Sequence, residues 1–367
     1  MKKIKVLHIL TVLNRGGLET MLMNLFRKFD LEKFEFHFLV HRSSGDYEEE
    51  IINMGGYIYR VPALSYSPLK MLHYQKKLDD FFHRNRFDII HVHNNSFGYF
   101  PLRAARKNKQ HVRIIHSHTS GLKDKAVKLY IGKELNKKIT KEANVLFACS
   151  VEAGKWMFGN HGFEVIPNAI DVDKFRYRID TPPPSVIANA EIKNIVYVAR
   201  FSQGKNHLFL LEIFAEVLKI DKNFHLYLIG DGDLRGAIEE RIKELNIQES
   251  ISLLGIRKDV NRILSFMDVY ILPSEFEGLP VSLVEAQASG IKCIISNGVP
   301  EEAILIKENV QRLPLSLSAQ NWAKTIVSIS DYERKDTGNL IKELGYDVAL
   351  TAEKLQDKYI EYIKIFS

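Results

Sequence analysis

Glu277 and Glu285, with seven residues between them, bracket a predicted helix start. The stretch Pro273-Ser-Glu-Phe-Glu-Gly-Leu-Pro-Val-Ser-Leu-Val-Glu-Ala-Gln-Ala-Ser-Gly290 leaves an apolar run, carries Glu277 and Gly278 in a loop, sets Pro280 in the first helical turn and stops at Gly290. A carboxylate accepts paired hydrogen bonds from neighbouring hydroxyls, so two of them suit a sugar and a ribose, while the backbone N–H groups between them suit a phosphate. Either glutamate alone reads as an exposed acid favoured near a helix N-terminus. A second set is cationic: the run Ile195-Val-Tyr-Val-Ala199 delivers Arg200, with Lys205 five residues later, just ahead of the next helix. That is where a doubly wound sheet binds phosphate, although isolated cations at loop ends are usually solvated. A third set is the pair Gly16-Gly17 in Thr11-Val-Leu-Asn-Arg-Gly-Gly-Leu-Glu-Thr20, which either turns backbone N–H groups toward an anion or simply makes a tight turn.

These residues need strands and helices to hold them. In the first half, short apolar runs recur at Ile4–Leu10, Phe34–Val40, Tyr57–Val61, Asp88–Val92, Val112–His116, Val145–Cys149 and Phe163–Ile166, with helical segments between them. Their β-branched, nearly continuous apolar character suits parallel strands covered on both faces. Residues 176–190 interrupt the rhythm with three consecutive prolines and read as a linker. The second half restarts with Ile195–Ala199, His225–Ile229, Ile251–Leu254, Val269–Leu272 and Cys293–Ser296. Leu210, Ile213, Phe214, Val217 and Leu218 form the stripe of a helix lying on a sheet. Alternating strand and helix predict two doubly wound, Rossmann-like α/β domains facing each other across a cleft, spanning 1–175 and 191–346. Residues 347–367 are amphipathic and are expected to form a helix that packs back on the N-terminal domain.

Composition narrows the function classes. The chain has 367 residues, 46% hydrophobic and 26% charged, which is ordinary for a folded protein and wrong for disorder. No apolar run approaches the roughly 18 residues needed to span a bilayer, and the N-terminus reads as a strand instead of a signal peptide, so a cytoplasmic location is expected. Cys149 and Cys293 have no metal-binding spacing and read as buried reduced thiols. A GxGxxG fingerprint is absent, and Leu39-Val40-His41 ends the second strand where a ribose-binding acid would stand, which disfavours a nicotinamide enzyme. Charge is uneven: residues 1–170 carry 27 Lys+Arg against 16 Asp+Glu, a balance of +11, and the remainder carries −5. A basic half can serve nucleic acid, an anionic membrane or a phosphate-bearing substrate. Nucleic acid is disfavoured because the basic stretch Lys123–Lys141 interleaves a single aromatic residue, Tyr130.

Taken together, the chain resembles the retaining GT-B glycosyltransferases of family 4, in particular those of capsular and exopolysaccharide synthesis. The resemblance rests on Gly16-Gly17, His116-Ser117-His118, Ile166-Pro167-Asn168-Ala169-Ile170-Asp171, Arg200 with Lys205, Gly230-Asp231-Gly232 and the pair Glu277 and Glu285. It implies that Arg200 and Lys205 hold the diphosphate of a nucleotide-sugar donor, most simply a UDP-sugar, that Glu285 takes the ribose and Glu277 the sugar, and that His118 reaches the sugar or the acceptor across the cleft. Gly16, Gly17, Asn168, Gly230, Ile256, Arg257, Gly278 and Leu279 complete the implied donor site. The catalytic set is then Glu277, His118, Arg200 and Lys205. Three positions depart from the family pattern: Ala169 and Asn206 stand where glycine is usual, and Gly278 leads directly into Leu279-Pro280.

The implied reaction moves a sugar to a hydroxyl of a glycan acceptor with retention at the anomeric carbon. No metal or other cofactor is expected, since Arg200 and Lys205 can neutralise the leaving diphosphate, and Asp171-Val-Asp173 and Asp231-Gly-Asp233 sit in turn-like contexts. A nucleotide-sugar epimerase and a non-catalytic sugar-nucleotide-binding subunit are the alternatives. Lys123, Lys125, Lys128, Lys133, Lys137, Lys138 and Lys141 fall in one predicted helix, preceded by Arg103, Arg106, Lys107 and Lys109. They lead to the expectation that the N-terminal domain rests on an anionic membrane surface and takes a lipid-linked acceptor.

Overall fold

A computed structural model describes residues 2–64, 67–119, 121, 126–178, 182–187 and 192–366. They form two compact units, one of residues 1–168 with 348–367 and the other of residues 169–347. The first unit holds a seven-stranded parallel sheet: β1 (Ile4–Ile9), β2 (Phe34–Val40), β3 (Tyr57–Arg60), β4 (Ile89–Val92), β5 (Val112–Ser117), β6 (Val145–Ala148) and β7 (Glu164–Val165). Its order is β3-β2-β1-β4-β5-β6-β7, so the winding reverses between β1 and β4. The second unit holds β8 (Lys193–Val198), β9 (Phe224–Ile229), β10 (Ile251–Gly255), β11 (Val269–Leu272), β12 (Lys292–Ser296) and β13 (Val310–Leu313) in the order β10-β9-β8-β11-β12-β13. Here the reversal lies between β8 and β11. Both are doubly wound sheets, whose ligands bind beyond the carboxyl ends of the strands at such a reversal.

The central strands are buried on both faces, as their uninterrupted apolar sequences require: every residue of β4, β9 and β11 is buried. Leu210, Ile213, Phe214 and Val217 bury one side of helix His207–Ile220, and Leu218 lies at the edge of that stripe. Trp322, fully buried in helix Ala319–Ile329, meets Phe209 edge-on at 5.9 Å. Strand β13 has no counterpart among the sequence-derived runs, because Val310-Gln-Arg-Leu313 is an edge strand with its middle residues exposed.

Residues 348–366 form one helix packed on helix Gly17–Lys28 and on β5 of the first unit. Its Tyr359 is fully buried beside Phe29 and Phe34. Lys358 and Tyr362 both bind Glu164 beside it. A fully buried aromatic side chain contributes roughly 1.5–3 kcal/mol, so this helix is part of the first core. The chain first passes between units at 168–169, ahead of segment 176–190. Helix Val172–Phe175 belongs to the second unit: Ser289 Oγ donates to Phe175 O at 2.5 Å, and Ile170 N donates to Tyr346 O at 3.0 Å. Within segment 176–190 the structure describes 176–178 and 182–187. Among the described residues, no helix is long and apolar enough to cross a membrane.

Candidate active site

Strands β8 and β11 flank the reversal of the second sheet, and the two sequence-predicted clusters follow them directly. The turn after β8 is held from below: Tyr197 on β8 donates its hydroxyl to Lys205 O at 2.7 Å and meets Ser274 Oγ at 3.3 Å. Asn206 closes the turn in the left-handed conformation (φ 57°, ψ 39°) as the N-cap of helix His207–Ile220. Asparagine enters that region more easily than most residues, and its Nδ2 donates to Pro273 O at 3.1 Å, so it fills the place where the family pattern has glycine. Glu275 N donates to Gly204 O at 2.9 Å, which ties the loop after β11 to the turn after β8, and Glu277 N donates to Gly298 O at 3.0 Å, which ties it to the loop after β12.

This bracing brings Lys205 and Glu277 together. Lys205 Nζ lies 2.5 and 2.7 Å from the two carboxylate oxygens of Glu277. The Glu277 side chain is only 8% exposed and that of Lys205 29%. A nearly buried carboxylate with a cation on both oxygens is a charge-balanced pair that an incoming anion can reopen by taking over the ammonium. Helix Val281–Ala288 starts just after Pro280, which serves as its N-cap, and carries Glu285 in its interior. Glu285 is buried, and desolvation pushes its carboxyl from an ordinary 4.5 up to about 8, with the charge of Lys174 only partly opposing. At neutral pH it is therefore largely a carboxylic acid, able to donate one hydrogen bond and accept others. Gly278 and Leu279 lie between the two glutamates, Leu279 buried.

The remaining predicted donor residues of this unit sit at neighbouring strand ends. Arg200 follows β8, with its side chain 63% exposed and its guanidinium 3.7 Å from Asp233. Gly230 follows β9, where a Cβ would stand 2.0 Å from Ala199 O; with φ 141° it is a position only glycine fills. Ile256 and Arg257 follow β10, Ile256 exposed and Arg257 forked onto Asp259 at 2.7 and 2.8 Å. Of the carboxylates weighed as metal ligands, Asp173 pairs with Lys342 at 2.7 Å, Asp231 with Arg235 at 3.6 Å and Asp233 with Arg200 at 3.7 Å. Tyr197 and Ser274 carry no sequence signal of a role here; only the tertiary arrangement reveals them.

In the first unit, Gly16 is the N-cap of helix Gly17–Lys28 with an ordinary extended backbone (φ −105°), and its N–H is already bonded to Asn14 O at 2.9 Å. An open cavity of about 600 Å³ beside this loop is lined by Asn14, Arg42, Ser43, Ser44, Gly45 and Asp46. His118 follows β5, partly buried. Its Nε2 lies 2.9 Å from His93 Nδ1, and burial holds its pKa down at about 3. It is one of five stacked histidines, the others being His8 on β1, His91 on β4, His93 just beyond β4 and His116 on β5. His-x-His spacing on two adjacent strands puts all four rings on one face, a signal present in both His91-Val-His93 and His116-Ser-His118. Nitrogens of His93, His116 and His118 fall within 4.8 Å of one another. The His116 and His118 ring centroids stand 4.0 Å apart with the planes tilted by 33°, and nitrogens of His8, His91 and His93 form a second such group.

Of the basic helix, Lys123 and Lys125 lie outside the described residues. Helix Ala126–Glu142 contains the other lysines, with Lys133, Lys138 and Lys141 exposed and Lys137 paired to Glu134 at 2.6 Å. Arg106 reaches Glu142 at 2.6 Å and Lys107 reaches Asp79 at 2.7 Å.

Residues 15–174 match the family described as Glycosyltransferase Family 4, and residues 192–331 the family described as Glycosyl transferases group 1. The chain is 35% identical to the putative glycosyltransferase EpsF of Bacillus subtilis, over 97% of this chain and 96% of that one. It is 26% identical, over 98% of both chains, to the Escherichia coli UDP-Gal:alpha-D-GlcNAc-diphosphoundecaprenol alpha-1,3-galactosyltransferase. Among solved structures, Anabaena Alr3699/HepE in complex with UDP and glucose superposes with a TM-score of 0.74 at 15% identity, covering 97% of this chain and 99% of that one.

Proposed function

The chain belongs to glycosyltransferase family 4, and from that premise we propose that it moves a sugar from a UDP-linked donor to a lipid-linked glycan acceptor in polysaccharide assembly, with retention at the anomeric carbon. The observation that carries this reading is the Lys205–Glu277 pair at the reversal of the second sheet, in the loop that leads into the helix carrying the buried acid Glu285. A donor diphosphate entering here takes the Lys205 ammonium away from Glu277. The exchange keeps the lysine charge-balanced and frees the carboxylate to accept hydrogen bonds from the sugar. Glu285, largely protonated before binding, can meet ribose hydroxyls as both donor and acceptor.

As the glycosidic bond breaks, negative charge gathers on the leaving UDP. Lys205, with Arg200 once it turns from Asp233, stabilises that charge in place. The reading therefore assigns charge neutralisation to side chains and expects turnover without a divalent cation. Attack comes from the face the leaving group departs, with a donor phosphate oxygen taking the acceptor proton. The lipid-linked acceptor draws support from the Escherichia coli relative, whose name specifies a diphosphoundecaprenol substrate, and from the exposed lysines of helix Ala126–Glu142. Release of UDP from purified UDP-sugars, measured with and without a diphosphate-lipid glycan, tests the proposal. Acceptor-dependent release is expected; nucleotide binding without any release would reduce the protein to a sugar-nucleotide carrier.

A further inference from the structure

The five histidines of the first unit are joined by more than stacking. His93 stands between two others, its Nε2 3.1 Å from His8 Nδ1 and its Nδ1 2.9 Å from His118 Nε2. His116 Nδ1 lies 3.3 Å from His91 Nε2, and His91 Nδ1 lies 2.6 Å from the Tyr359 hydroxyl. Even so, His8 Nε2 and His116 Nε2 are buried with no hydrogen-bond partner. Imidazoles that pair mainly with one another and leave buried nitrogens unmatched are a costly way to fill a core. Grouped imidazoles are also what a transition-metal ion binds.

The sheet explains how they come together. Val92 on β4 is in register with Ile115 on β5, so His93 and His116 stand side by side at the carboxyl ends of the two strands, with His118 two positions further on. A tetrahedral ion about 2.0–2.1 Å from three imidazole nitrogens sets the ring centroids about 5 Å apart. Here the separations are 5.1 Å for His93 and His118, 5.7 Å for His93 and His116, and 4.0 Å for His116 and His118. Burial keeps the three rings uncharged, the form that offers a lone pair. The inner trio of His8, His91 and His93 is buried throughout, whereas His118 is part-exposed and gives the outer trio a side from which an ion can arrive.

We propose that His93, His116 and His118 bind one zinc ion, His93 through Nδ1 and His118 through Nε2, with a solvent molecule in the fourth position. Zinc suits a site of neutral nitrogen ligands that is four-coordinate and open on one side. His8 then acts behind the site: it accepts the Nε2–H that His93 keeps and so holds that ring in place. The ion ties the ends of β4 and β5 together within the first unit. It takes no part in neutralising the donor diphosphate, which stays with Lys205 and Arg200, so the site goes beyond the reading above and does not depend on it.

Isothermal titration of the full chain, freed of any affinity tag and stripped of metal, should show one zinc ion bound with a dissociation constant of about 10 μM or tighter. His118→Gln and His93→Gln should each weaken binding about a hundredfold or more, and His8→Leu by roughly tenfold to a hundredfold. His161→Gln, at an exposed histidine outside the cluster, should leave it unchanged. Zinc should raise the midpoint of thermal unfolding of the parent and not that of His118→Gln. Cobalt(II) in place of zinc should give the intense visible bands of a four-coordinate ion. Weaker or absent binding by the parent would overturn the proposal, as would a pale six-coordinate cobalt spectrum. So would parental affinity in His118→Gln, which decides the matter even if His93→Gln fails to fold, or loss of binding in His161→Gln.

Discussion

Replacing Glu285 by glutamine separates the cost of burying an acid from every other property of the site. The folded protein holds this carboxyl at about 8 against 4.5 ordinarily, so between those values the folded state binds a proton that the unfolded state has released. Stability must then fall as pH rises through that window, the reverse of a salt-bridged carboxylate. Glutamine has the same shape and no proton to lose. The advantage of Glu285→Gln over the parent should therefore grow by about 3 kcal/mol from pH 5 to pH 7.5, taking 1.36 kcal/mol per pKa unit. Trp156 lies in the first unit and Trp322, fully buried, in the second. In a Trp156→Phe background, urea unfolding followed by tryptophan fluorescence thus reports the unit that contains Glu285. A stability difference that stays constant across this pH range would refute the claim that Glu285 is buried as an acid.

Glu277→Ala should abolish sugar transfer while UDP affinity, measured by calorimetry, stays within a few-fold of the parent, because the carboxylate is assigned to the sugar and its loss frees Lys205 for phosphate; a variant that still turns over would remove Glu277 from the site. Lys205→Ala should cost turnover about a hundredfold or more, in line with the loss of one charge-stabilising donor, while chelation with EDTA leaves the parent rate unchanged. An EDTA-silenced enzyme rescued by manganese would contradict the assignment of charge neutralisation to side chains. Changing the exposed Lys133, Lys138 and Lys141 to glutamine should weaken sedimentation with anionic vesicles on the order of a hundredfold, at about 1 kcal/mol per basic residue near the surface. Equal binding to neutral vesicles would show that these lysines are there for solubility.

The strands of both sheets were legible because burial on two faces demands runs such as Ile89-Ile-His-Val92 and Val269-Tyr-Ile-Leu272, and few other environments accept them. Edge strand β13, with Gln311 and Arg312 exposed, satisfies no such demand and left no pattern. The residue types that could bind a phosphorylated sugar were also legible, since Arg200, Lys205, Glu277 and Glu285 carry their chemistry in their identity. Their pairing was not: Lys205 and Glu277 are 72 positions apart, and nothing local says that the lysine covers Glu277 while Arg200 turns to Asp233. Asn206 stood out as a departure, and only its left-handed backbone explains why asparagine is tolerated there. For the histidines, spacing showed which rings share a face but not that Tyr359, 268 positions from His91, would meet one of them.

That distance between Tyr359 and His91 also has a meaning in time. A ribosome adding about 5–20 residues per second needs tens of seconds to travel from one to the other. Throughout that interval the face of the first sheet that carries His91, with Phe29 and Phe34, has been synthesised while the helix that covers it has not. Residues 169–347 are contiguous and contain all the strands of their own sheet, so the second unit can complete its core during the same wait. Synthesis order and folding order are therefore inverted: the middle of the chain can be finished while its beginning still presents an open aromatic surface to the cell. A nascent-chain trap for chaperones, or for a premature partner, would be set at the amino-terminal half, and only the arrival of residues 348–366 springs it.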